Sequence, residues 1–120
     1  MRLWRLVAVM MMAALSPAQS QENVRAGTGV VLRGLDKVNG DVVDITLATG
    51  ETAEIGRLSV ALQECRYPQG TASDSFAYLT VHDASVQEPI FEGWMIASSP
   101  ALNALEHPRY DVWVLRCKTD

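Results

Sequence analysis

The chain has 120 residues, with ten basic and fourteen acidic side chains and a formal charge of −4. That length suits one domain, and a net acidic chain without a run of Lys or Arg argues against nucleic acid or anionic lipid as a partner, since both are held mainly by cations.

The first segment reads as an export signal. Arg2 and Arg5 precede an uninterrupted apolar run from Leu6 to Leu15, and Ser16-Pro17-Ala18-Gln19-Ser20 follows with small residues at positions 18 and 20. The apolar run is ten residues long, whereas a helix needs roughly twenty apolar residues to cross a bilayer core. A cleaved signal peptide, residues 1–20, is therefore expected, with an uncleaved anchor as the alternative. The mature chain, 21–120, then carries eight basic against fourteen acidic residues, a charge of −6. It is expected in the periplasm, as a single domain without a membrane span.

From there, short apolar runs alternate with turn residues. Thr28 to Leu35 supplies Val30, Val31 and Leu32, and Asn39-Gly40 is a strong hairpin signal. Val42 to Leu47 resumes the apolar pattern, and Thr49-Gly50-Glu51 turns it again. In Arg57 to Tyr67 the side chains Leu58, Val60, Leu62 and Glu64 fall on one face and Ser59, Ala61, Gln63 and Cys65 on the other, the period of a half-buried strand. Pro68 to Asp74 lacks an apolar anchor and reads as a flexible loop.

Phe76 to Val81 and Ile90 to Ile96 form the next strand pair. Tyr110 to Cys117 closes the chain, with Val112, Val114 and Arg116 alternating against Trp113, Leu115 and Cys117. Between these lies Ser98 to Pro108. Ser99 is a natural helix cap, Pro100 fits the first helical position, and Pro108 stops the turn. One or two helical turns near residues 99–107 are expected, pinned to the core by Leu102 and Leu105. The fold class is thus all-β and mainly antiparallel, a small open barrel or sandwich of six to seven strands.

Two cysteines remain in the mature chain, Cys65 and Cys117. In a small exported domain an even count favours a disulfide between them. The competing possibility is a reduced thiol working with His107.

Several blocks together resemble the DUF2155 family of alphaproteobacterial proteins. They are Gly93-Trp94-Met95, Ala97-Ser98-Ser99-Pro100, Leu102-Asn103, Glu106-His107-Pro108, Tyr110-Asp111-Val112-Trp113 and Cys117, with Leu35-Asp36-Lys37, Gly56-Arg57-Leu58 and Cys65 upstream. The resemblance implies a Gram-negative envelope protein with Cys65 paired to Cys117, and it carries no activity with it. The Pro68 to Asp74 loop is shorter than the family pattern suggests.

Chemistry could reside in the carboxy-terminal block. Ser98 or Ser99, His107 and Asp111 are the residue types of a small hydrolase or lyase, but no Gly-x-Ser-x-Gly elbow or Gly-rich oxyanion loop accompanies them. Capping by Ser99 and local hydrogen bonding by His107 explain the same residues without catalysis. Only two histidines exist, His82 and His107, in separate segments, so no metal or other cofactor is expected.

Trp94 and Trp113 suit a small β core, while aromatics with a polar tip also favour partner surfaces. The candidate binding residues are therefore Trp94, Asn103, Glu106, His107, Tyr110 and Trp113, with Tyr110, His107, Glu106 and Asn103 rimming a groove. The favoured function is a non-catalytic binding or assembly module of the cell envelope whose partner is another envelope protein.

Overall fold

The computed structural model describes residues 23–120, so the expected signal segment lies outside the described residues. Eight strands run in chain order: β1 (Val24–Ala26), β2 (Gly29–Asp36), β3 (Val42–Ala48), β4 (Thr52–Ile55), β5 (Leu58–Pro68), β6 (Phe76–Asp83), β7 (Phe91–Ile96) and β8 (Tyr110–Lys118). All their pairings are antiparallel. One sheet has the order β1-β5-β6-β7, with β4 also paired to β5, and the other has the order β3-β2-β8.

The two sheets face each other without closing into a barrel. The strands absent from the sequence reading are β1 and β4. At three and four residues, they are too short for an alternation to register.

The turns follow local chemistry. Asn39-Gly40 closes the β2–β3 hairpin, where the Gly40 N–H donates to the Asp36 carbonyl at 2.8 Å. Between β4 and β5 the turn has only two central residues, Gly56 and Arg57, since Ile55 pairs with Leu58. Gly56 has φ +60°, and a positive φ at the first central position is the hairpin geometry that glycine supplies without strain.

Each sheet turns its inward residues to one core. Val30 and Leu32 of β2, Leu58, Val60 and Leu62 of β5, Leu79 and Val81 of β6, and Val112 and Val114 of β8 are all fully or almost fully buried. Each contributes on the order of 1.5–3 kcal/mol by leaving water. Met95, Leu105 and Tyr110 complete the cluster.

Two β-bulges reset the alternation, and both alter the expected facing of a cysteine. In β5, Leu62 pairs with Leu79 and Glu64 with Tyr78, so Gln63 is an extra residue. Cys65 then falls on the face of Leu62, where strict period two places it with Gln63 on the opposite side. In β8, Val114 pairs with Leu32 and Arg116 with Val31, so Leu115 is the extra residue. Cys117 accordingly joins Val112 and Val114 inside instead of Trp113 and Leu115 outside.

Cys65 and Cys117 meet as a disulfide, with Cα atoms 5.7 Å apart, and tie β5 of one sheet to β8 of the other. The Cys117 N–H donates to the buried Ser75 hydroxyl at 3.0 Å, and the Gly27 N–H donates to the Cys65 carbonyl at 2.8 Å. With both sulfurs joined, no thiol remains to work with His107.

The helical insertion is smaller than expected, a single 3-10 turn at Pro100–Leu102. Ser99 precedes it but makes no side-chain cap hydrogen bond. Asn103 is already extended, with φ −149° and ψ 91°, because its side chain donates to the Trp94 carbonyl at 2.8 Å. The chain leaves the helical path there. Consequently Leu105 is buried, whereas Leu102 is 74% exposed and pins nothing. A second 3-10 turn, Ala72–Asp74, gives regular structure to part of the loop expected to be flexible.

Candidate functional site

The loop from Ile96 to Tyr110 returns the chain from one sheet to the other, and a polar cluster fixes its end. At the end of β2, the Asp36 carboxylate accepts from the Val38 N–H at 3.0 Å and from Arg109 Nε and Nη2 at 3.1 and 2.9 Å. The Arg109 guanidinium holds the Asp36 carboxyl below its usual range. The neighbouring Lys37 donates from Nζ to the His107 carbonyl at 2.7 Å, and from its N–H to the Arg109 carbonyl at 2.7 Å. Asp36, the last residue of β2, and Lys37 just beyond it thus hold both ends of the His107-Pro108-Arg109 step.

His107 is fixed at both ring nitrogens. Nδ1 accepts from the Arg109 and Tyr110 N–H groups at 3.0 and 3.2 Å. Two amide donors aimed at one nitrogen make it the unprotonated one, which leaves the proton on Nε2 to be donated to Asp83 Oδ2 at 2.9 Å. Asp83 also accepts from the Ser85 N–H and hydroxyl at 3.0 and 2.9 Å. The Ser85 amide first, then His107 and the Ser85 hydroxyl, lower the Asp83 pKa to about 2.

Two glycines admit the side chains that complete this arrangement. The Arg57 N–H donates to the Tyr110 hydroxyl at 3.3 Å. A Cβ on Gly56 would collide with that hydroxyl and the adjoining ring carbons, so the turn residue is small because the tyrosine lies against it. On β7, a Cβ on Gly93 would sit 3.1 Å from Asn103 Nδ2, which crosses to the Trp94 carbonyl. The dispersed segments around Asp36-Lys37, Gly56-Arg57, Gly93-Trp94, Asn103 and His107 to Tyr110 therefore converge on the two ends of one connecting loop.

The chemistry of this cluster is mutual restraint. The carboxylate partner of His107 is Asp83, not Asp111, and neither Ser98 nor Ser99 hydrogen-bonds to His107. The Ser99, His107 and Asp111 arrangement of a nucleophilic enzyme is not assembled. Among the described residues no three His, Cys, Asp or Glu side chains converge as metal ligands.

The six candidate binding residues fall in different places. Tyr110 is 4% exposed and packs in the core cluster. His107 is mostly covered within the polar cluster, and Asn103 spans to β7. Glu106 is exposed.

The two tryptophans lie half-buried on the outer faces of their sheets. Trp94 meets Phe76 and Tyr78 edge to face, each at a centroid distance of 5.3 Å, and lines an apolar hollow with Phe76 and Ile96. Trp113 lines a groove between β8 and the loop, with Pro100, Ala101 and Ala104 on the far side.

Sequence reasoning missed Asp83 and Arg109. An Asp-x-Ser turn and the Asp36 to Arg109 charge match were visible signals, but the two partners of each long-range pair are 24 and 73 positions apart.

These features define a class: a two-sheet antiparallel β domain, cross-linked between its sheets, whose connecting loop is held by an Asp–His–Arg cluster and whose outer faces carry tryptophan. The family model described as "Uncharacterized protein conserved in bacteria (DUF2155)" matches residues 30–117, and the chain belongs to that family. It is also similar to an uncharacterized protein of Rickettsia prowazekii (strain Madrid E), 28% identical over 87 residues. That match covers 69% of this chain and 56% of the relative, so the chain spans little more than half the relative's length. No solved structure matches the chain.

Proposed function

We propose that the chain is exported through a signal segment cleaved after Ser20 and acts in the periplasm as a non-catalytic binding or assembly module of the cell envelope, with another envelope protein as its partner. The observation that carries this reading is how the functional side chains are used. His107, Asp83, Asp36 and Arg109 are spent on one another, while Trp94 and Trp113 stay half-buried on outer faces instead of filling the core.

Interfaces are enriched in such aromatics, and a covered histidine with both nitrogens engaged has no free position for acid–base work. Export is supported by Arg2 and Arg5 before the apolar run of residues 6–15. The Cys65–Cys117 bridge is of the kind that persists in oxidising compartments. Among the described residues no helix is long and apolar enough to cross a membrane.

The test is cell fractionation of the full chain tagged after Asp120, combined with photo-crosslinking amino acids placed at Phe76 and at Ala104. The expected product starts at Gln21, lies in the periplasm without free thiols, and crosslinks reproducibly to one envelope polypeptide. A full-length cytosolic product with free thiols would overturn the reading.

A further inference from the structure

Four carboxylates are half-buried among the described residues: Asp36, Glu64, Asp83 and Asp111. Three have a nitrogen partner: Arg109 lies 2.9 Å from Asp36, Arg66 2.6 Å from Glu64, and His107 2.9 Å from Asp83. Asp111 has no ion pair or side-chain hydrogen bond to any other described residue. Loss of water around an ionised carboxylate is unfavourable unless a cation replaces it, and the nearby cations are engaged elsewhere. Arg33, the cross-strand neighbour of Trp113, holds Asp44 through Nε and Nη2 at 2.8 and 3.0 Å. Arg109 holds Asp36, and Lys37 holds the His107 carbonyl.

Asp111 lines the same groove as Trp113. The groove, of about 410 Å³, is lined by Asp111, Val112 and Trp113 of β8 and by Pro100, Ala101 and Ala104 of the loop. Asp111 and Trp113 are two residues apart on one strand and so share a face. An occupant must bring a cation to the carboxylate and an apolar stem to the channel beside the indole.

We infer that this groove receives an arginine side chain of a partner polypeptide, with its guanidinium on the Asp111 carboxylate and its stem or planar face against Trp113. Arginine fits better than lysine because its planar fork matches a carboxylate at two points, stacks on an aromatic face and is more weakly hydrated. The inference rests on the binding-module reading and assigns it a site and a partner chemistry.

The test uses the disulfide-bonded domain and follows the Trp113 indole N–H resonance during titration with acetyl-Gly-Arg-Gly-amide. The same peptide with citrulline, the neutral isostere of arginine, is the control. The arginine peptide is expected to shift Trp113 saturably, with a dissociation constant on the order of millimolar. Citrulline, or Asp111→Asn, is expected to weaken binding about tenfold. No saturable shift, or equal binding of citrulline, overturns the assignment. That comparison uses the unaltered protein and so does not depend on how well the variant folds.

In cells, crosslinks from position 104 that vanish with Asp111→Asn support the site. Crosslinks from position 76 alone overturn it while leaving the module reading in place. No crosslink from either position removes both.

Discussion

At the scale of single residues, the His107 cluster has a pH signature. Asp83 has a pKa of about 2 against an ordinary 3.8, so the unfolded chain takes up this proton at higher pH than the folded one. The resulting stabilisation is complete above the ordinary value and is lost as pH falls from about 4 towards 2. Urea unfolding across that window should therefore show falling stability, and Asp83→Asn should flatten the fall. An equally steep decline in the variant would refute the role given to Asp83.

Gly56 offers a second check at this scale. Its Cβ would strike the Tyr110 hydroxyl, so Gly56→Ala should cost about 1–3 kcal/mol by displacing a buried ring and straining a positive φ. Tyr110→Phe should cost only about 1 kcal/mol, the worth of one hydrogen bond. Thermal or urea unfolding of the pair distinguishes a steric cause from loss of the hydroxyl.

At the scale of elements, the bulges at Gln63 and Leu115 place both sulfurs. Deleting Gln63 removes the extra residue and leaves Cys65 two positions after Leu62, on the same inner face. The deletion variant is therefore expected to keep the Cys65–Cys117 bond, with no maleimide-reactive thiol under non-reducing conditions. Two reactive thiols in the variant would refute Gln63 as the residue that the ladder skips. Most strands were legible because their inward positions carry Val and Leu at period two. The bulges were not, since nothing local marks Gln63 or Leu115 as the residue to be skipped. The helical turn was over-read for a similar reason: Ser99, Pro100 and Pro108 carry helix-end chemistry, but Asn103 is drawn out by a carbonyl on another strand.

At the scale of the molecule, the disulfide closes a sequence separation of 52 residues between the sheets. Restricting a loop of that size in the unfolded chain is worth about 4 kcal/mol, against a total of roughly 5–15 kcal/mol for a typical domain. Reduction, or Cys65→Ser with Cys117→Ser, should therefore lower the urea midpoint substantially. An unchanged midpoint would mean that the open-edged pair of sheets holds together without its cross-link.

The sequence by itself determined the all-β class, the six longer strands and the Asn39-Gly40 hairpin, because these depend on alternation and turn chemistry within a few neighbouring residues. It also marked Cys65 and Cys117 as a pair. Tertiary structure alone decided that Asp83 rather than Asp111 partners His107, that Tyr110 is core, and that Trp94 and Trp113 lie on outer faces. Those outcomes depend on strand register and on which distant segments meet, just as a bulge of one residue in each strand decided which face each cysteine occupies.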